Sequence, residues 1–470
     1  MAKLYCGVDF GTTNTSVAVT DGQQVRVLPL DPENDNVTSL PSLLYIKSDG
    51  DTIVGRSAAN AFIDRNVDRE VILKQVDLGI SIEAYVASEP DKSETYRPGV
   101  VDPNTREAVR ARATVEVNSP GRLFQSLKTL MRHNTFQGTE VFGTHYQIEE
   151  LVAMILKPVK AAVDHAAGES VERAVFGRPV RFSEHEEENA TAERRLRVAA
   201  ELAGFKEVTF FHEPVGACVE FAMLEQRTQR LMVVDIGGGT CDVCIMEFGD
   251  SHDIGVRLSE SKILSVAGVP VAGDAIDREI IRSKLFPVFG SKARYGPSNL
   301  RLPQYLFNQI LDWQNLYKLN NEETINWLIA AESSATDPQA LRALRCLVQR
   351  NFGYPVAREV EAAKRRLSSD LETFIQIEKE DILIHEHMER VEFAHIIEDL
   401  LERMLKSIEE AESLAGVKPG DIDLVLTTGG TSLIPAIREM IEARYGADRI
   451  RQRDTFTSVA TGLAIVAQFA

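Results

Sequence analysis

The sequence predicts an α/β protein of two similar lobes that face each other across a cleft. Three observations lead there. Val8-Asp9-Phe10-Gly11-Thr12-Thr13-Asn14-Thr15-Ser16-Val17 and Val234-Asp235-Ile236-Gly237-Gly238-Gly239-Thr240-Cys241-Asp242-Val243 align without a gap, each between apolar runs. A repeat of this kind points to duplicated units rather than two accidental turns. Strand and helix patterns alternate around both copies, as in layered α/β lobes. A long helical stretch then interrupts the second half.

Taken in order, strands are expected at Leu4 to Phe10, Thr15 to Thr20, Gln24 to Leu28 and Ser42 to Ile46, with a helix from Ser57. Residues 77–120 are polar, weakly periodic and broken by Pro90, Pro98, Pro103 and Pro120, so they read as an insertion rather than core. Amphipathic helices follow at about 121–132, 147–167 and 184–203, with a buried strand at Ala174 to Gly177. The strand Val208 to Phe211 and a helix from Pro214 to Glu225 lead to the second Asp-Gly turn. Beyond Gly273-Asp274, helical sequence runs to about Ser369, then strands at 372–385, a helix at 392–415, the strand Asp423 to Thr427 and a last helix, Ser458 to Phe469. No linker or further domain is expected after it.

With 470 residues the chain can bury a large core and should form two to four domains. A net charge of -18, with no compensating Lys/Arg run, disfavours nucleic acid and anionic membrane as partners. The first residues enter a strand at once, without the pattern of a signal peptide, and nothing reaches the ~18 to 20 apolar residues of a membrane span. Five scattered cysteines suit reduced thiols and a cytoplasmic setting. Cys241 and Cys244 form a C-x-x-C, but an offset of three in a strand points them to opposite faces, which argues against a metal or redox pair.

In each repeated turn an Asp closes the first strand and small residues offer free backbone N–H groups, a shape that can hold phosphate oxygens. Two such turns across a cleft would grip a polyphosphate from both sides. Asp9 and Asp235 would hold the accompanying Mg²⁺ through its water shell. Each turn alone is equally an ordinary hairpin. Glu361, Lys364, Arg365 and Ser368 share one helix face, which is either solvated or turned to adenine and ribose. Gly429-Gly430 offers close approach to a nucleoside or simply turns a strand into a helix. Glu213, before Pro214, could orient a water or merely begin a helix. Lys128 could neutralise a γ-phosphate, yet a lone lysine on a helix ordinarily faces solvent.

The turns at 8–17 and 234–243, Glu213-Pro214, Gly273-Asp274, Glu361 to Ser368 and Gly429-Gly430-Thr431 through Pro435 resemble, in order, the nucleotide-binding domain of the DnaK-type heat-shock chaperones, the heat shock protein 70 family. Length and insertions resemble the YegD-like branch, which lacks the peptide-binding half. The resemblance implies an actin-like ATPase: duplicated ribonuclease H-like lobes in four subdomains around a nucleotide cleft. Lobe I would span 1–229 (core 1–40 and 145–229, joined by the helix at 455–470, with an insertion at 41–144). Lobe II would span 230–454 (core 230–272 and 385–454, with a helical insertion at 273–384). ATP or ADP with Mg²⁺ would be bound by Gly11, Thr12, Thr13, Asn14, Gly237, Gly238, Gly239 and Thr240 at the phosphates. The nucleoside would meet Gly273, Asp274, Glu361, Lys364, Arg365, Ser368, Gly429, Gly430 and Thr431. Lys128, Glu213, Asp9, Asp235 and Asp242 would be catalytic.

The function implied by this resemblance is that of a slow, Mg-dependent, chaperone-like ATPase that closes on ATP and relaxes on ADP, read out by an unidentified protein partner or client. Leu433 and Phe456 stand where the family has an Arg over the adenine and an Asp, and Arg181 replaces its Tyr, so the adenosine end departs further than the phosphate grip. A small-molecule kinase of the same superfold and an actin-like filament protein are the alternatives.

Overall fold

The computed structural model describes residues 4–87, 101–224, 229–251, 254–452 and 457–469. Two mixed sheets organise it, and five strands of each follow the same order, the first sheet adding the short strand Leu40–Pro41 against Asn14–Thr20. In the first, the hairpin Tyr5–Phe10 and Asn14–Thr20 lies at the centre; Val25–Val27 continues it antiparallel on one side, and Arg173–Arg178 then Glu207–His212 add parallel strands on the other. In the second, the hairpin Arg230–Ile236 and Cys241–Glu247 takes that place, with Lys262–Val269 antiparallel on one side and Leu424–Thr428 then Ile450–Gln452 parallel on the other. The duplication expected from two ten-residue stretches thus extends over five strands in each half.

Two helices cross between the sheets. Glu213–Leu224 packs on the second sheet, Ser458–Val466 packs on the first, and they pack on each other. Their contact depends on missing side chains: a Cβ on Gly462 would lie 1.7 Å from the Gly216 carbonyl oxygen, and one on Gly7 would lie 2.2 Å from the Ala464 nitrogen. Val215, Phe221, Val459 and Leu463 fill the space between with Val233, Cys244 and Leu426. Cys241, three residues from Cys244, packs into the other core, against Val243 and Ile276. The two thiols therefore occupy opposite faces of their strand, as alternation requires. All five cysteines are free and buried.

Most expected elements occur within a few residues of their expected bounds. Residues 121–132 do not form one helix: Gly121–Phe124 is a strand paired with Leu44–Lys47, and only Leu127–Leu130 is helical. Glycine decides this, because a Cβ on Gly121 would lie 2.2 Å from the Tyr45 ring, and its absence lets the ring lie over the strand. Within 77–120, strands Leu73–Ala87 and Val101–Glu116 pair as an antiparallel arm, and residues 88–100 lie outside the described residues. The helical stretch after Gly273 contains a short hairpin, Arg294–Tyr295 with Leu300–Arg301. The strands expected at 372–385 form the hairpin Glu372–Lys379 and Ile382–Glu389. Phe456 also lies outside the described residues.

The long insertion of the second lobe reaches back to the first. Phe62, in the helix Arg56–Asn66, meets Trp313 at 5.6 Å and Tyr354 at 5.4 Å between ring centroids. Tyr45, Ala59 and Leu123 complete this apolar cluster, and the Asn351 amide donates to the Asn66 carbonyl beside it. Among the described residues no helix is long and apolar enough to cross a membrane.

Candidate active site between two acidic hairpins

Each central hairpin closes in the same way. Asp9 stands opposite Ser16 and the Gly11 N–H donates to the Asn14 carbonyl at 2.9 Å; Asp235 stands opposite Asp242 and the Gly237 N–H donates to the Thr240 carbonyl at 3.1 Å. The tight turns leave their tips to face each other. A Cβ on Gly238 would lie 2.3 Å from Thr13 Oγ1, and one on Gly239 would lie 2.8 Å from Thr12 Oγ1. The two hairpins therefore converge on one place, tip against tip, and only glycine fits on the second.

Below the tips lies a cluster of charge. Lys128, in the short helix Leu127–Leu130, donates through Nζ to Glu213 Oε1 at 2.5 Å, and both side chains are buried. A lone lysine on a helix ordinarily faces water, and only the family resemblance points to Lys128; here its helix folds inward, which no local pattern signals. Glu213 lies over Gly177, where a Cβ would come 2.9 Å from Glu213 Cγ. Gly268 leaves room in the same way for Asp242, whose Oδ1 accepts from the Val180 N–H at 2.7 Å.

Four carboxylates, Asp9, Glu213, Asp235 and Asp242, thus share one ammonium. Burial, then Glu213, pushes Asp9 up to about 7 against the pull of Lys128. Burial and Glu213 likewise push Asp242 up to about 7, although Thr240 and Val180 hydrogen-bond its carboxylate. Asp235 is raised well above the ordinary range by burial, Glu213 and Asp9. Burial opposes the charge on Lys128, but Glu213 and Asp9 outweigh it and raise its pKa. A site with this acid excess favours an added cation. Among the described residues no three His, Cys, Asp or Glu side chains are placed to bind a bare metal ion. The acid excess fits a hydrated cation held through its waters by Asp9 and Asp235.

The second group of expected residues assembles beside the second hairpin. Thr431 Oγ1 donates to the Gly237 carbonyl at 2.7 Å, the Gly273 N–H donates to the same oxygen at 3.2 Å, and the Asp274 N–H donates to the Gly238 carbonyl at 2.8 Å. Gly429, at φ +82°, lies where a Cβ would be 2.2 Å from the Ile236 carbonyl oxygen. From the helix Gly353–Arg366, Lys364 Nζ donates to the Gly273 carbonyl at 3.2 Å and to Asp277 at 2.8 Å. Glu361 is near enough to act on the charges of Lys364 and Asp274. Burial, then Asp277, pushes Asp274 up to about 6.

Arg365 is exposed and Ser368 half-buried, and neither side chain is hydrogen-bonded among the described residues, so the structure does not tie them to the rest of the group. A Cβ on Gly430 would meet nothing within 4 Å, and Leu433 is exposed beside it. Sequence reasoning missed Asp277, although its place three residues after Asp274 in one helix is a readable signal. It also missed Gln125, Ser126, Trp313 and Gln314, which meet across the two lobes and carry no local signature.

A family model described as Hsp70 protein matches residues 121–256 and 350–469. Chaperone protein DnaK of Thermus thermophilus is 27% identical over 99% of this chain and 61% of its own length. Chaperone protein DnaK of Akkermansia muciniphila is 25% identical over 99% of this chain and 58% of its own. The counterpart in Cyanidioschyzon merolae is 24% identical over 99% of this chain and 62% of its own. The chain thus spans about three-fifths of the length of these relatives.

Proposed function

The chain belongs to the Hsp70 protein family, and from that premise we propose that it binds ATP with Mg²⁺ between its two hairpins, hydrolyses it slowly and changes lobe closure with nucleotide state. Its fold is the actin-like ATPase fold of that family. The observation that carries the reading is the meeting of Thr12 and Thr13 with Gly238 and Gly239 above the buried Lys128–Glu213 pair. A γ-phosphate is the part of the ligand that both hairpins would touch, so its loss would relax their approach.

In this reading backbone N–H groups of the hairpin tips, within 12–14 and 238–240, bind phosphate oxygens while those of Gly11 and Gly237 close the turns, and Lys128 offsets negative charge at the transferred group. Glu213, with Asp242 behind it, orients the attacking water. Such a reaction is served by positioning and electrostatics more than by strong bases. The bound Mg²⁺ would supply charge neutralisation, with Asp9 and Asp235 holding its waters. Gly273, Gly429, Gly430 and Thr431 form the floor for a nucleoside, with Glu361, Lys364 and Arg365 on the neighbouring helix and Ser368 just past its end.

We place the protein in the YegD-like branch, acting in the cytoplasm on a protein partner or client. Buried free thiols suit that compartment. The test is calorimetry of ATP, ADP and GTP with Mg²⁺, then phosphate release by wild type, Lys128→Ala and Glu213→Ala. Both variants should bind ATP and hydrolyse it at least 100-fold more slowly, in line with the loss of a preorganised charge. Hydrolysis at the wild-type rate by both variants would defeat the catalytic assignment, and phosphorylation of an added sugar or carboxylic acid would make the protein a kinase.

A further inference from the structure

We propose that Gln314 and Trp313, in the helical insertion of the second lobe, are positioning residues for Lys128 of the first, so that closing the cleft and placing the lysine are one event. The inference rests on the catalytic role proposed for Lys128.

Three hydrogen bonds from the insertion clamp one residue, Gln125. Its N–H donates to Gln314 Oε1 at 3.2 Å, its carbonyl accepts from Gln314 Nε2 at 3.4 Å, and its side-chain Oε1 accepts from Trp313 Nε1 at 3.3 Å. The next residue, Ser126, is held left-handed at φ 55°, ψ 33°, a conformation disfavoured for a residue with a Cβ. Its Oγ donates to Asp274 Oδ2 at 3.4 Å, again in the second lobe. The helix Leu127–Leu130 that carries Lys128 begins directly after this turn. The strained turn that aims the lysine is therefore fixed from across the cleft on both of its residues.

The clamp is itself held by its neighbours. Asp312 caps the turn beneath it by accepting from the Gln314 N–H at 3.2 Å, and the Trp313 ring lies 4.8 Å from Tyr354 between centroids. Tyr354 lies in the first turn of the helix that carries Glu361 and Lys364. A nucleoside seated against that helix would thus act on Lys128 through Tyr354, Trp313, Gln314 and Gln125. When the lobes part these hydrogen bonds break, Ser126 can relax, and the lysine loses its aim.

The test is a double-mutant cycle read in single-turnover ATP hydrolysis, with kcat and KM determined separately. Gln314→Met keeps the bulk of the side chain and removes both amide bonds; Trp313→Phe keeps the ring stack and removes only the bond to Gln125. Gln314→Met should slow turnover about tenfold with little change in KM, and Trp313→Phe about threefold. In a Lys128→Ala background neither change should slow turnover further, because a residue that acts through the lysine has nothing left to position. Equal slowing with and without Lys128 would overturn the inference, as would wild-type turnover in both variants while Lys128→Ala alone is slow. If Lys128→Ala hydrolyses like wild type, the role of the lysine fails first and this inference with it.

Discussion

Replacing Lys128 with methionine removes the ammonium that faces Asp9, Glu213, Asp235 and Asp242 while keeping most of its volume. The pair it breaks is 2.5 Å long, with side-chain exposures of 6% and 9%, so water does little to replace it. Removing one partner of such a buried pair costs about 3–5 kcal/mol. The cluster can limit that cost by binding one more proton, which shifts the native state toward greater proton binding than the unfolded chain. Stability of the variant then falls relative to wild type as pH rises, by at most about 1.4 kcal/mol per pH unit. Near pH 6, Asp9 and Asp242 are largely protonated already, since each is pushed up to about 7, and the loss is at its smallest, that of leaving Glu213 unpaired. By pH 8 they are ionised, and the penalty should be larger by up to about 3 kcal/mol. Urea unfolding of the ligand-free protein at pH 6, 7 and 8, wild type against Lys128→Met, measures this. An equal destabilisation at all three values would refute the argument, because a pair outside an acid-rich cluster would show that result.

The same acids set a second expectation. Asp9 takes up protons more readily folded than unfolded between about pH 4 and 7, so wild-type stability falls as pH rises through that window; Asp9→Asn should stabilise the ligand-free protein by roughly 1–3 kcal/mol at pH 8 and hardly at pH 4, while abolishing ATP hydrolysis, as urea unfolding and phosphate release would show. Gly238→Ala places a Cβ 2.3 Å from Thr13 Oγ1 and should push the hairpin tips apart, weakening ATP binding about tenfold or more in calorimetry without lowering the thermal midpoint comparably. Phe62→Ala removes the first-lobe ring that packs on both Trp313 and Tyr354; it should cost about 3–5 kcal/mol and speed ADP release several-fold in a fluorescent-nucleotide chase, and unchanged release would mean that this rim cluster does not restrain the cleft. Arg181 and Glu410 form an ion pair at 2.8 Å but are 41% and 39% exposed, so Glu410→Ala should change unfolding free energy by less than about 1 kcal/mol.

Much of the fold is readable because it is repeated or periodic. The two hairpins announce themselves through identical spacing, and buried strands such as Arg173–Arg178 and amphipathic helices such as Ile148–Ala167 through their patterns. The stretch 121–132 misled because Leu123, Phe124, Leu127 and Leu130 suit a helix as well as a strand followed by a turn. Pairing with Leu44–Lys47 decided between them, and that partner lies more than seventy residues away. The arm at Leu73–Ala87 and Val101–Glu116 shows the same limit, since cross-strand pairing can order a segment whose own pattern is weak.

Local chemistry in the chain itself was enough to establish two Asp-bearing turns, their glycines and threonines, and a helix carrying Glu361, Lys364 and Arg365, because such features depend on neighbours a few residues apart; Ser368, expected on the same face, lies past the helix end at Arg366. Tertiary packing alone determined that Lys128 is buried against Glu213, that four acids share its charge, and that Trp313 and Gln314 seize Gln125. The physical reason is that charge burial and strained turns depend on what the rest of the molecule places around them, and those partners come from segments some 85 to 190 residues apart.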